Sequence, residues 1–334
     1  MKRLLLDGNK PYYKANLHCH TVNSDGDYTP EEIKALYKEQ GYAVVAFTDH
    51  EHILDNNALT DESFLAITAC EIAIREFPDG STRTHPMMRV CHLNLLGKDP
   101  HRLLTPCYSK KLDHFLNDNI VDKVQFDRDD YERVYSGEGI SEIIRIANES
   151  GFLVTYNHPR WSLENARQYL GYKGLWAVEI YNHACNEMGL YEYDINVYDD
   201  FLRDGQRLAC VAADDAHVAR DLFGGFVMIN ADRLDYATIM QALENHDFYA
   251  STGPVIRELS LEENVATVTF EKGVYATMSS NDRRGKKAVA DDPMGENTVS
   301  FEIPAGTEYV RFDVVGADGT RANTCAYFLD EVLK

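Results

Sequence analysis

The sequence predicts an α/β fold in which parallel strands and helices alternate into a closed or nearly closed barrel, followed by a small antiparallel β unit. Three observations predict it. Short β-branched and aromatic runs alternate with helix-like stretches through the first 250 residues, after which the pattern switches to a two-residue alternation. All 12 histidines lie at or before His246, so the two parts also differ in chemistry. Repeated strand-then-helix order argues for a parallel sheet, and the number of repeats favours closure.

The opening Met1-Lys2-Arg3-Leu4-Leu5-Leu6-Asp7 is basic but carries no apolar stretch long enough for a signal peptide. No later run approaches the roughly 18 apolar residues of a membrane span, so a soluble, cytoplasmic protein with no membrane partner is expected. Residues 43–47, 64–68, 152–156, 176–181 and 208–212 read as buried parallel strands. Thr29-Pro30-Glu31-Glu32 opens a helix with a capping hydroxyl, a proline at the first helical position and acids in the first turn, and Gly41 closes it. Residues 141–150, ending at Gly151, and 234–244 supply two more helices. Residues 265–270, 298–303 and 309–315 alternate in period two, Asp318-Gly319 signals a hairpin, and no helical period survives there. The join at Ser251-Thr252-Gly253-Pro254 is short, which favours packing over tethering. The expected division is therefore a barrel over 1–250 and a β-sheet module over 251–334.

A chain of 334 residues with 44% apolar content is too long for one small core and fits one large domain plus a smaller unit. With 33 basic against 54 acidic side chains the formal charge is -21, so duplex nucleic acid should be repelled unless bound cations reverse the field locally. The seven cysteines, at 19, 70, 91, 107, 185, 210 and 325, show no Cys-x-x-Cys spacing. Cys19, Cys70 and Cys91 each adjoin a candidate ligand, but strand alternation turns them to the opposite face, as buried small hydrophobes.

Six segments close apolar runs with side chains able to hold a metal: His18-Cys19-His20 with Asp25 behind, Thr48-Asp49-His50, Glu71, His92, Asn157-His158-Pro159 and Asp215-Ala216-His217. In a barrel the C-terminal strand ends converge on one face however far apart they are in sequence. His18 and His20, two apart, project to one side of a strand and can grip one ion. Six His, two Asp and one Glu exceed the need of one tetrahedral site, so two to three divalent ions (Zn, Mn or Fe) are expected. A carboxylate such as Glu71 can bridge two ions, and a shared water then becomes a hydroxide nucleophile near neutral pH. Three divalent ions give about +6, three carboxylates and one hydroxide remove about four, and the remaining charge matches a phosphate dianion.

In order and spacing, these motifs resemble the polymerase and histidinol phosphatase (PHP) family of metal-dependent phosphoesterases, over roughly residues 12 to 250 and with all nine ligand positions filled. The resemblance implies a distorted seven-stranded (β/α) barrel with a trinuclear site. Carried over by motif, His18, His20, Glu71 and Asp215 would hold the first ion, Glu71, His92 and His158 the second, and Asp25, His50 and His217 the third. The segments Cys91-His92-Leu93-Asn94-Leu95-Leu96-Gly97 and Phe248-Tyr249-Ala250-Ser251-Thr252-Gly253-Pro254, with the β tail, are similar to a branch that includes a carbaryl hydrolase. That branch implies carboxylic and carbamic ester chemistry beside phosphoester chemistry.

Asp49 and Asp214 flank ligands and read as supporting or capping groups. Arg160 could reach a substrate oxyanion as a bidentate donor, or make a surface salt bridge. Asn182 and His183 end a strand at the same face and, with Arg160 and Arg220, are the candidate substrate-binding residues. Gly224-Gly225 can be read as a turn alone. His52, His85, His101 and His114 read as surface residues, and Arg283-Arg284-Gly285-Lys286-Lys287 as a solvated hairpin or a substrate-selecting loop. The expected reaction is hydrolysis of a small phosphorylated metabolite or nucleotide, with the hydroxide attacking phosphorus and the leaving alkoxide met by an ion or a protonated histidine. Glu71, His217 and Arg160 are the candidate catalytic residues. Hydrolysis of a carbamate, ester or amide on the same site and a non-catalytic metal-binding role are the alternatives, and the oligomeric state stays open.

Overall fold

Apolar alternation, helix caps and turn residues act where the sequence puts them in the computed structural model, which describes residues 2–77, 87–191 and 193–333. The strands of the first part are β1 (Lys2–Leu6), β2 (Tyr12–Asn16), β3 (Tyr42–Phe47), β4 (Leu65–Arg75), β5 (Val90–Gly97), the short β6 (Leu104–Thr105) and β7 (Gln125–Phe126), β8 (Phe152–Tyr156), β9 (Ala177–Asn182), β10 (Ala209–Ala213), β11 (Phe226–Asn230) and β12 (Phe248–Ser251). Then follow β13 (Val255–Glu262), β14 (Val265–Glu271), β15 (Tyr275–Ser280), β16 (Lys286–Val289), β17 (Glu296–Glu302), β18 (Tyr309–Val315), β19 (Arg321–Thr324) and β20 (Tyr327–Phe328). The result is a mixed α/β fold built on one large sheet.

In that sheet the order is β10-β9-β8-β5-β4-β3-β2-β11-β12-β19-β18-β15-β16, with β20 beside β18. β2, β3 and β4 are mutually parallel, as are β8, β9 and β10. β5 runs antiparallel to both of its neighbours, which an all-parallel reading does not anticipate. Beyond their last ladder residues β10 and β2 meet: Cys19 bridges Ala216, His20 N donates to Ala216 O at 3.0 Å, and Asp215 N donates to His18 O at 2.9 Å. The run from β10 to β2 thus has its two outer strands joined at the rim that carries the candidate ligands.

The helix Pro30–Glu39 begins with the capping box the sequence predicts: Thr29 Oγ1 accepts from Glu32 N at 3.2 Å and Glu32 Oε2 accepts from Thr29 N at 2.8 Å. Its buried Tyr37 reaches Asp214, so this helix braces the rim as well as the sheet. The helix expected at 141–150 starts earlier, over Gly137–Glu149, because Ser136 supplies the cap. The third runs Tyr236–Glu244 under an Asp235 cap.

Two connections cross residue 250. β1 pairs with β13, giving a four-stranded sheet β1-β13-β14-β17, and β12 pairs with β19, carrying the large sheet on into the tail. The two layers enclose Leu6, Leu259, Val268, Phe270 and Phe312, each worth about 1.5–3 kcal/mol on burial. β18 and β19 flank the Asp318-Gly319 turn, where Gly319 has φ +88, a conformation open to glycine. One helical turn, Leu329–Val332, closes the chain where no helical period was expected. Among the described residues no helix is long and apolar enough to cross a membrane.

Candidate metal centre

Seven of the nine sequence-predicted ligands line one cavity, and buried His18 and His20 lie against Asp215 behind them. His18 and His20 lie just past β2, His50 past β3, His158 past β8, and Asp215 and His217 past β10. Glu71 instead sits within the long β4, where it bridges to His50. His92 lies at the start of β5 rather than after an apolar run; because β5 is inverted, its beginning lies at the rim where parallel strands end.

Glu71, almost fully buried, is the centre of the arrangement. Its Oε1 lies 3.3 Å from His18 Nε2, 3.1 Å from His92 Nδ1 and 3.3 Å from His158 Nε2, and its Oε2 lies 3.1 Å from His50 Nδ1. Asp215 Oδ1 is 3.0 Å from both His18 Nε2 and His20 Nε2. Asp25 reaches His50 Nε2 at 3.5 Å and His217 Nε2 at 3.4 Å. Donor atoms therefore form overlapping groups, among them His18/His20/Glu71, Glu71/His92/His158 and His20/Asp25/His50/His217, each within 4.8 Å. The chemistry of the set fits divalent ions, since imidazole nitrogens and carboxylate oxygens converge and, among the described residues, no Lys or Arg pairs with Glu71, Asp215 or Asp25. Buried His92 Nδ1, which faces Glu71 Oε1, makes no hydrogen bond, and an ion bound between them would satisfy it.

Charge in the cluster is mutually adjusted. Burial would raise the Glu71 carboxyl, but the imidazoles of His92 and His18 hold it well below the usual range. Burial likewise opposes charging of His217, yet Asp215 and Asp25 push it up to about 9. His20 goes the other way, down to about 3, from burial and from the neighbouring His217 and His50.

Supporting side chains fix tautomers and loops. Glu179, fully buried on β9, takes His18 Nδ1 at 2.9 Å with Oε2 and Asn182 Nδ2 at 2.7 Å with Oε1, leaving His18 Nε2 for the cluster. The ring of His217 is set by Nδ1 donating to Asp215 O at 2.7 Å. Asn157 Nδ2 donates to Glu71 Oε1 at 2.7 Å. Asp49 accepts from Thr21 N at 2.8 Å and Ser24 Oγ at 2.8 Å, shaping the loop to Asp25. Asp214 accepts from the backbone of Phe223, Gly224 and Gly225, so Gly224-Gly225 is a held turn as well as a turn.

The substrate-binding candidates separate. Arg220 lines the cavity at its rim. Arg160 does not; its half-exposed guanidinium lies 3.8 Å from Asp194 and 3.4 Å from Leu190 O, the surface ion-pair alternative. Asn182 is buried, tied to Glu179, to Asp215 Oδ2 at 3.0 Å and to Cys185 N, so it positions ligands. His183 bonds Tyr181 Oη at 3.0 Å under Gly224, where a Cβ would stand 2.0 Å from the ring. His52 corrects a surface reading: it is fully buried, 3.6 Å from Asp113, while His101 and His114 are exposed and His85 lies outside the described residues. All seven cysteines are buried, and Cys19, Cys70, Cys91, Cys107, Cys210 and Cys325 form no disulfide. Glu179 and Arg75, which also lines the cavity, were missed: an acid inside an apolar run and a basic residue at a strand end carry no motif.

Taken together, fold and site define a candidate metal centre at the rim of the large sheet of an α/β fold. No family model and no curated protein matches the chain. Among solved structures it is similar to a two-domain protein from Bacteroides vulgatus ATCC 8482 containing a predicted PHP-like metal-dependent phosphoesterase, at 16% identity and TM-score 0.47, covering 97% of this chain and 96% of that one. It is also similar to an amidohydrolase from Chromobacterium violaceum (15% identity, TM-score 0.38, 61% of this chain and 88% of that one) and to the lesion-specific endonuclease EndoQ from Pyrococcus furiosus (16%, 0.40, 70% and 56%). These likenesses are distant, and the functional reading below stands on the geometry of the cavity.

Proposed function

We propose that the protein is a metal-dependent phosphoesterase acting on a small phosphorylated metabolite or nucleotide. The observation that carries this reading is the convergence of nine donors from six segments on overlapping groups, two of which share Glu71. His18, His20, Glu71 and Asp215 would hold one divalent ion, Glu71, His92 and His158 a second, and Asp25, His50 and His217 a third. Bound there, Zn, Mn or Fe ions would supply Lewis acidity and an ionisable water. The chain's own part is orientation and exclusion of water: Glu179 keeps the His18 proton on Nδ1, Asp215 O keeps that of His217 on Nδ1, and Phe115 and Trp161 wall the cavity. Arg220 at the rim would face charge developing on the substrate.

The finer fold reading belongs here too. The seven-strand order from β10 to β2 and the Cys19–Ala216 bridge support a distorted barrel, with residues 251–334 and β1 as a β module docked on it. Cys19, Cys70, Cys91, Cys107, Cys210 and Cys325, which form no disulfide, accord with a reducing, cytoplasmic setting.

A second reading, hydrolysis of an acyl ester, carbamate or amide, is favoured by one observation: the cavity, about 800 Å³, is walled by Met88, Leu112, Phe115, Trp161, Leu163 and Leu190. Parallel assays with aryl phosphate, aryl acetate and aryl carbamate separate the two, with elemental analysis of the protein as purified. Phosphate release should stop on chelation and fall about 10³-fold or more in Glu71→Ala, which removes the shared ligand. Undiminished turnover after complete ion removal would refute both readings.

A further inference from the structure

Glu71, Ala73 and Arg75 alternate along β4, so all three side chains leave the same face, and all three line the cavity. The register repeats this on β5, where His92 pairs with Ala73 and Val90 with Arg75. Moving outward from the candidate ions, the wall therefore reads ligands, then Ala73, then Val90 and Arg75. A rise of about 3.3 Å per residue puts the Arg75 and Glu71 Cα atoms roughly 13 Å apart.

Arg75 is half-buried, and among the described residues its guanidinium makes no hydrogen bond or ion pair, in a chain with 54 acidic side chains. Glu51, the acid that acts on Arg75, is already committed. Glu51 Oε2 accepts from Arg133 Nη1 at 2.6 Å and Glu51 Oε1 from Ala73 N at 2.9 Å, while Arg133 Nη1 also donates to Ala73 O at 2.9 Å. That buried pair bonds within itself, so among the described residues no acid is paired with Arg75. Burial lowers the Arg75 pKa, Glu51 opposes this and Arg133 adds to it; a guanidinium stays protonated regardless. A partly desolvated cation without a partner is costly, so its presence in a cavity that also holds the candidate metal centre calls for an anion.

We propose that Arg75 binds a second anionic oxyacid group of the substrate, a carboxylate or a phosphate, remote from the bond that is cleaved. This rests on the hydrolase reading and narrows it: the substrate carries its scissile ester at the ions, an apolar middle against Met88, Val90 and Trp161, and a negative end at Arg75.

The test compares phenyl phosphates bearing a para butanoate arm or the methyl ester of that arm, on the ion-loaded protein. The ratio of kcat/KM values, carboxylate over methyl ester, cancels any general loss of activity. It should be about tenfold or more in the wild type, fall toward one in Arg75→Met chiefly through KM, and be intermediate in Arg75→Lys, which keeps the charge without the planar fork. A wild-type ratio near one, or a ratio unchanged in Arg75→Met, overturns the proposal. Aryl acetates with the same two arms ask the same question if the cleaved bond is acyl. If no ester is cleaved the hydrolase reading fails, and calorimetric binding of 4-(4-hydroxyphenyl)butanoate against its methyl ester then decides Arg75: tighter carboxylate binding that Arg75→Met abolishes supports it, and equal binding refutes it.

Discussion

Exchanging Glu179 for glutamine removes one charge and changes almost no volume, yet the hydrogen bonds around it leave no good solution. Both of its partners are donors: His18 through Nδ1 at 2.9 Å and Asn182 through Nδ2 at 2.7 Å. Asn182 cannot turn its amide over, because its Oδ1 accepts from Cys185 N at 2.9 Å at the start of the helix His183–Glu187. Glutamine offers one acceptor and one donor, so whichever way it lies one contact becomes donor against donor in a fully buried place. The cost is about 1–3 kcal/mol. If the glutamine oxygen serves Asn182, His18 loses the group that fixes its tautomer and its basicity as a ligand; partners of this kind are worth roughly 10–100-fold in metal affinity or activity, which is about 1.4–2.8 kcal/mol. Titration of the loaded protein with a chelator, alongside turnover and thermal melting, reads the effect. Metal affinity should fall by that factor in Glu179→Gln and further in Glu179→Ala, with a larger change in the loaded than in the ion-free melting temperature. Affinity and turnover within twofold of wild type would refute the positioning role.

Asp214→Asn should destabilise by about 2 kcal/mol in denaturant unfolding, because an amide NH₂ would then face backbone donors at 2.7–2.8 Å or Tyr37 Oη at 2.7 Å; an unchanged midpoint would contradict this. Glu164 accepts from Tyr135, Tyr156 and Tyr172 at 2.5 Å each, and burial raises its carboxyl above 4.5 against the pull of these hydroxyls. A carboxyl raised by folding favours the native state while protonated, so its contribution is full below the ordinary value and is lost as pH rises through the raised one. Unfolding free energy followed upward from pH 4.5 should thus decline more in wild type than in Glu164→Gln, and equal slopes would show that Glu164 folds without perturbation.

Six strands of the large sheet and all nine candidate donors could be read from the sequence, because each signal is local. The runs at 43–47, 152–156 and 208–212 sit within a residue of β3, β8 and β10, and Thr29 with Glu32 forms its box without help from the rest of the chain. What escaped depends on distant pairing. The direction of β5 is decided by the strands on either side of it, so His92 looked like the end of an apolar run although it begins a strand. β1 pairs with β13, and Lys2 Nζ meets Glu258 across 256 residues, which no window reveals. Glu179 looks like one polar residue in a strand until His18 is placed against it. His52, polar and between ordinary loop residues, gave no sign that it would be buried with Asp113 beside it.

The same distant pairings explain how the rim tolerates its own geometry. His158 has φ +23, Asp215 φ +53 and Glu51 φ +68, conformations that cost residues with a Cβ on the order of 1–3 kcal/mol each. Two are candidate ligands and the third carries the pair beside Arg75. Each is held from outside its own segment: Asp215 by its N donating to His18 O, the residue before His158 by its N donating to His92 O, and Glu51 by its N donating to Glu71 O at 2.7 Å. The acceptor of each bond, His18, His92 or Glu71, is itself a candidate ligand, so the backbone strained at the rim is anchored on the cluster. A strand that slipped by one residue would break such a bond and turn its ligand away at once, which ties the register of the sheet to the assembly of the cavity. The fold and the site are therefore specified by the same contacts, and the strain at the rim is the conformational cost of bringing imidazoles and carboxylates of β2, β3, β8 and β10 within reach of Glu71.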